Sequence, residues 1–289
     1  MIINYILLTI GIIACSTAVI FVKLSGENFY YLSVWRLSLA AILLMPIFLK
    51  DYRKYPDAFS WQIYKTLLWP SFALAIHFLS WLYAIELTSV ANASLIVNFV
   101  PVVMPFFLYV MLKEKTNMWE FLGTAIAIFG LWILCRDKFQ ISIASAIGEI
   151  ICFLSMLTVT WYFALARKNN KKKQSIFLYV VPIYANAALI CLAIALIMGK
   201  QPKMVFNAKE ILIVIGLAII PTIIGHSILT HSMKILPSQV VTLLNLTQFI
   251  FAALLGYWIL GETQGITFFV ASATVLCGAC VVIFSSNKK

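Results

Sequence analysis

Along most of this chain the apolar positions neither alternate nor recur on one helical face. They run together in stretches of about twenty residues that end at charged or turn-forming residues. A helix in lipid is apolar all round, so length rather than period locates the elements. Ten such runs predict ten transmembrane helices: Tyr5–Leu24, Tyr31–Leu49, Thr66–Ile85, Val90–Leu112, Trp119–Leu134, Ala144–Ala166, Ile176–Met198, Glu210–Thr230, Ser238–Leu260 and Thr267–Phe284. Polar connections such as Lys50–Tyr64 and Arg167–Gln174 join them, and none is long enough to hold a separate soluble domain. The expected fold class is an all-α membrane protein of about ten transmembrane helices. The first run has no basic n-region and is too long for a signal-peptide core, so it reads as an uncleaved first helix.

Composition agrees. Of 289 residues, 63% are hydrophobic and 11% charged, with a mean hydropathy of +1.00, whereas soluble domains carry roughly 25% charged residues. The net charge of +11 raises the question of nucleic acid, but binding there needs a contiguous basic face on a soluble scaffold. Here the basic residues sit between apolar runs and report topology; no nucleic-acid partner is expected. With the N-terminus inside, 14 Lys and Arg fall on the inner side, among them Lys50, Arg53, Lys65, Lys113, Arg167 and Lys171. Six fall outside (Lys23, Arg136, Lys138, Lys200, Lys203 and Lys209), and Arg36 lies within a span. By the positive-inside rule both termini are cytoplasmic, in a multi-pass protein of a bacterial inner membrane. The six cysteines lie in or beside apolar runs and read as small hydrophobes, including the C-x-x-C at Cys277 and Cys280.

An internal repeat is visible at a spacing of 148 residues. Tyr109-Val-Met-Leu-Lys-Glu114 matches Tyr257-Trp-Ile-Leu-Gly-Glu262, and the same offset pairs Thr124 with Ser272 and Gly130 with Gly278. One position further, Leu87, Ser89 and Leu95 match Leu236, Ser238 and Leu244. The halves divide at 1–138 and 139–289, five helices each, and an odd number forces the second to insert upside down. Such 5+5 inverted repeats commonly place a substrate near the membrane midplane. The run His77-Phe-Leu-Ser-Trp81-Leu-Tyr-Ala-Ile-Glu-Leu-Thr-Ser-Val-Ala-Asn-Ala93, then Pro101, Pro105 and Glu114, resembles the first EamA-type repeat of the drug/metabolite transporter superfamily. Pro221-Thr-Ile-Ile-Gly-His-Ser227, the Leu236-Pro-Ser238 turn and Leu260-Gly-Glu262 resemble the second. The resemblance implies a carrier of small organic solutes, commonly amino acids or related metabolites. Related sequences often carry Asn-Trp after the G-H motif and Glu-Pro in the ninth span. This chain has Thr230-His231 and Gln248-Phe249 there, so no role of that Glu carries over.

Intramembrane ionisable residues are costly and therefore candidates for function. Arg36 in the second span and Glu149 in the sixth lie at similar outer depths: they pair, or Arg36 holds a substrate carboxylate with its planar fork. Against this, Arg36 snorkels to outer headgroups and Glu149 sits at a helix N-terminus. His77 and His226 are placed to pass protons or bond a substrate, or to serve packing as neutral rings. Asn98, Asn245 and Gln248 occupy corresponding spans of the two halves, as expected of polar groups facing a pocket or bridging helices. Trp81, Trp161 and Tyr184 are candidates for stacking a flat solute, whereas Tyr83 and Trp258 read as interfacial belt residues. Pro101, Pro105 and Pro221 interrupt helical hydrogen bonding and mark hinges for alternating access, or static kinks.

No catalytic residue, metal site or cofactor is read from the chain: the histidines lack carboxylates at matching depth, and no G-x-x-x-x-G-K-[ST] motif points to ATP. The expected partners are a small-molecule solute and the lipid bilayer, with the protein a monomer or homodimer. The rival readings are an intramembrane enzyme acting on a lipid or prenyl substrate and a membrane assembly component without transport.

Overall fold

The computed structural model describes residues 2–56, 60–88, 93, 96–135, 143–169, 175–203, 207–261 and 263–286. In chain order the helices are α1 (Ile2–Ser16), α2 (Ala18–Leu24), α3 (Phe29–Lys54), α4 (Trp61–Leu87), α5 (Val100–Leu112), α6 (Met118–Cys135), α7 (Ile143–Asn169), α8 (Phe177–Ile197) and α9 (Ala208–Leu217). A π-helical segment (Ala218–His226) leads into α10 (Ser227–Ile235), followed by α11 (Ser238–Asn245), α12 (Gln248–Leu260) and α13 (Ile266–Ser286). Several are pieces of one span. Among the described residues eight stretches are long and apolar enough to cross a membrane, with two shorter apolar helices at Val100–Leu112 and Met118–Leu134. These ten fall where the apolar runs place them; residues 90–92 and 94–95 of the expected fourth span lie outside the described residues.

The helix ends follow local chemistry more than hydropathy. Helix α3 runs five residues past its apolar limit because Arg53 and Lys54 occupy its last turn, where positive charge complements the helix dipole. Asn28 and Asn207 cap α3 and α9, accepting the backbone N–H of Tyr31 at 3.0 Å and of Glu210 at 2.9 Å. Thr17 divides α1 from α2, its hydroxyl turned back onto the Ala14 carbonyl at 2.7 Å.

By packing, the chain forms two compact units, each drawn from both halves of the sequence: Met1–Leu79 with Leu165–Ile235, and Ser80–Ala164 with Leu236–Lys289. In the first, α3 lies along α8, and α1 packs on the π segment and α10. The contact of α1 with the π segment is close enough that a Cβ on Gly225 would meet Cys15 Sγ at 2.5 Å. One end of this unit is tied by Asn28 Nδ2 donating to the Gln201 carbonyl (3.0 Å) and Tyr31 Oη to that of Lys200 (3.2 Å). An ion pair of Lys203 with Glu210 adds to it.

In the second unit α6 and α13 run antiparallel in contact along their lengths. A Cβ on Gly123 would meet the Gly278 carbonyl at 2.6 Å, and one on Gly130 the Ala271 carbonyl at 2.9 Å. Small residues drive helix association in lipid by letting backbones approach. The sequence repeat also has a geometric counterpart here. Phe99 N–H bonds the Ile96 carbonyl (3.1 Å) and Val102 N–H that of Phe99 (2.9 Å), breaking the helix ahead of α5. At the same offset Thr247 N–H bonds Leu244 (2.9 Å) and Ile250 N–H bonds Thr247 (3.0 Å), separating α11 from α12. The two helices also end alike, with Lys113 (φ 59°) and Gly261 (φ 70°) both left-handed.

Candidate functional site

Arg36 lies inside the first unit with 1% of its surface exposed. Its position follows from two adjacent residues of the π segment. Pro221 has no N–H to give the Leu217 carbonyl, so the α-helical ladder fails there and the helix widens over Ala218–His226. The Thr222 hydroxyl then donates to Leu217 O at 2.8 Å. Having spent its hydrogen, Oγ1 presents lone pairs to the guanidinium and accepts from Arg36 Nε at 3.1 Å and Nη2 at 3.0 Å. Arg36 Cζ sits 4.0 Å from the centre of the Phe78 ring.

Around this pair the first unit gathers three more expected residues. Tyr184, fully buried, places its hydroxyl 3.2 Å from the Thr222 carbonyl and 3.0 Å from Ser227 Oγ. The His226 ring meets Phe78 edge-on at 5.0 Å, with His77 at 6.4 Å from His226. At the repeat spacing Arg36 corresponds to Tyr184, and one position further His77 corresponds to His226 and Phe78 to Ser227. The cluster thus uses equivalent positions of both halves, with a cation in one half and a hydroxyl in the other. Cys15 and Cys191 stand beside it with their thiols on the carbonyls of Pro221 (3.7 Å) and Ala75 (3.9 Å).

The electrostatics are lopsided. Burying a charge costs several kcal/mol even after relaxation. Against that stand hydrogen bonds to a charged group, about 1.5–3 kcal/mol each, and a cation–π contact of about 2 kcal/mol. Both hydrogen bonds here share one oxygen, and Arg36 Nη1 has no hydrogen-bond partner among the described residues. The described acids of this unit are committed elsewhere: Glu27 to Asn28 and the Lys203 backbone, Asp51 to Ser175, Glu210 to Lys203. A guanidinium so placed is chemically equipped to bind an anion.

The remaining expected residues lie in the second unit. Trp81 is 9% exposed and its Nε1 lacks a hydrogen-bond partner among the described residues. Asn98 and Gln248 stand at the two matching helix breaks, and Gln248 donates to Asn245. Glu149 and Trp161 are half-buried on α7. Pro101 and Pro105 stand four apart, so Pro105 cannot bond the Pro101 carbonyl; Gln239 Nε2 does so instead at 2.8 Å while also bonding Thr124 Oγ1 at 2.7 Å. Thr222, Phe78 and Gln239 are the residues that sequence reasoning missed. Thr222 had one signal, its place directly after a mid-span proline; Phe78 and Gln239 had none beyond their neighbours.

Fold and site together define a multi-pass, all-α membrane protein with a buried polar cluster. The profile of the EamA-like transporter family matches residues 2–136 and again 146–284. The chain belongs to the EamA-like transporter family, within the drug/metabolite transporter superfamily, and is a membrane transporter of small solutes. It is similar to an uncharacterized transporter of Archaeoglobus fulgidus, 24% identical over 275 residues that cover 95% of this chain and 94% of the relative. A protein of known crystal structure shares the fold with a TM-score of 0.82 at 15% identity, over 99% of this chain and 98% of the other.

Proposed function

We propose that this protein is a secondary carrier that moves an amino acid or related small organic solute across a bacterial inner membrane by alternating access, with Arg36 holding the solute's carboxylate. The observation that carries the reading is the buried guanidinium, which among the described residues has no partner for Nη1 and no acid of its unit beside it. A bidentate contact to a carboxylate supplies the missing charge and the missing acceptors at once. The duplicated chain supports two five-helix halves, 1–138 and 139–289, inserted in opposite senses with both termini cytoplasmic. Pro221 serves as the flexible point, because its π segment is already off the α-helical ladder and carries Thr222 with it. Asn98, Asn245 and Gln248 are the second unit's candidates for further solute contact, with Trp81, Glu149 and Trp161 behind them.

The test is exchange in sealed liposomes. Vesicles reconstituted with wild-type protein and loaded with a mixture of amino acids and organic acids should take up a labelled member saturably. Arg36→Lys should raise the half-saturating concentration and Arg36→Ala should abolish exchange. Unchanged affinity and rate in both variants would remove Arg36 from the substrate site.

A further inference from the structure

Two buried nitrogens of the cluster have no hydrogen-bond partner among the described residues: Nη1 of Arg36 and Nδ1 of His226. They flank one side chain, since Arg36 Cζ stands 4.0 Å from the Phe78 ring centre and the His226 ring 5.0 Å from it. His226 also closes the π segment that carries Thr222, the acceptor of the guanidinium. We propose that His226 takes up a proton when the anion binds at Arg36, so that the carrier moves an anion together with one H+. This rests on the reading of Arg36 as the carboxylate anchor.

The charged and titratable groups facing the pair are few: His77 on α4 beside His226, with Cys15 on α1 and Tyr184 and Cys191 on α8 around the guanidinium. On α10 the Lys234 charge acts on His231, and on α9 Glu210 is held by Lys203. No described carboxylate joins them. In the empty site a proton on His226 would face the Arg36 charge across Phe78 with no described carboxylate to offset either. A bound carboxylate reverses this, and linkage requires that the proton favour the anion by the same factor as the anion favours the proton. For a monocarboxylate without an amine the empty and loaded sites then carry the same charge, and the transported pair is neutral. His226 fits better than His77 because its Nδ1 is the buried nitrogen left unsatisfied.

The probes are lactate and benzoate, whose carboxylates stay ionised between pH 6 and 8, applied to the detergent-purified protein, with binding read as a rise in the unfolding midpoint. Apparent affinity should increase towards pH 6 by up to about tenfold per pH unit, the limit for one linked proton. Adding probe in weak buffer should draw protons from solution. His226→Gln should remove the pH dependence of the midpoint shift and end the proton uptake. A shift independent of pH, binding without proton uptake in the wild type, or an unaltered pH slope in His226→Gln would each overturn the coupling. No shift by either probe at any pH would overturn the anion site beneath it. The wild-type proton measurement decides the matter even if the variant fails to fold.

Discussion

Replacing Arg36 by methionine removes a charge whose burial, among the described residues, Thr222 and Phe78 offset, and leaves an uncharged side chain of similar reach against the Phe78 ring. Buried ionic groups exchanged for well-packed apolar ones are often neutral or stabilising. Thr222→Val takes away the guanidinium's hydrogen-bond acceptor while the charge remains, and should cost about 1.5–3 kcal/mol per lost bond to a charged group. In thermal unfolding Arg36→Met should therefore melt at or above the wild-type midpoint and Thr222→Val well below it. The double variant should recover most of the loss, since the two share one interaction. A double variant no more stable than Thr222→Val would show that the hydroxyl matters for packing rather than for the charge. Arg36 was legible in the sequence because a lone ionisable residue deep in an apolar run is conspicuous. Thr222 was not: a threonine in such a run carries no signal until the proline before it is seen to release a carbonyl that the hydroxyl then takes.

At the scale of the element, prolines act through the carbonyls they leave free. Pro221→Ala would return an N–H to the Leu217 carbonyl, relieve the π geometry and loosen the tie that orients Thr222. The expected outcome is a higher unfolding midpoint with slower exchange in liposomes; equal rates would contradict a flexible role for the segment. Gln239→Leu should have the opposite effect on stability. It strands the Pro101 carbonyl inside the second unit, at a cost of about 1–3 kcal/mol for an unsatisfied buried group, visible as a lowered midpoint. The spans themselves were readable from apolar length alone. Their ends and interruptions were less so, because Asn28, Asn207 and Thr17 set them by hydrogen bonds that hydropathy does not record. The matching breaks at Phe99 and Thr247 were hinted at only by the repeat in the residues around them.

For the molecule as a whole, the apolar composition indicated a membrane protein, the duplicated motifs and their resemblance to EamA-type repeats indicated a transporter, and the family comparison agrees on the transporter. Which of the ten expected site residues come together was beyond the sequence. Arg36, His77, Tyr184 and His226 meet in one unit because equivalent positions of the two halves fold into it, whereas the amides that looked equally promising lie in the other. The first unit should bind an anion through Arg36. The most direct measurement is thermal unfolding of wild-type protein and Arg36→Met, side by side at one pH, against small carboxylates each paired with its neutral amide. At least one carboxylate should raise the wild-type midpoint, its amide should not, and Arg36→Met, though as stable, should respond to neither. Equal shifts by acid and amide, or a carboxylate shift that survives in Arg36→Met, would contradict anion binding at Arg36.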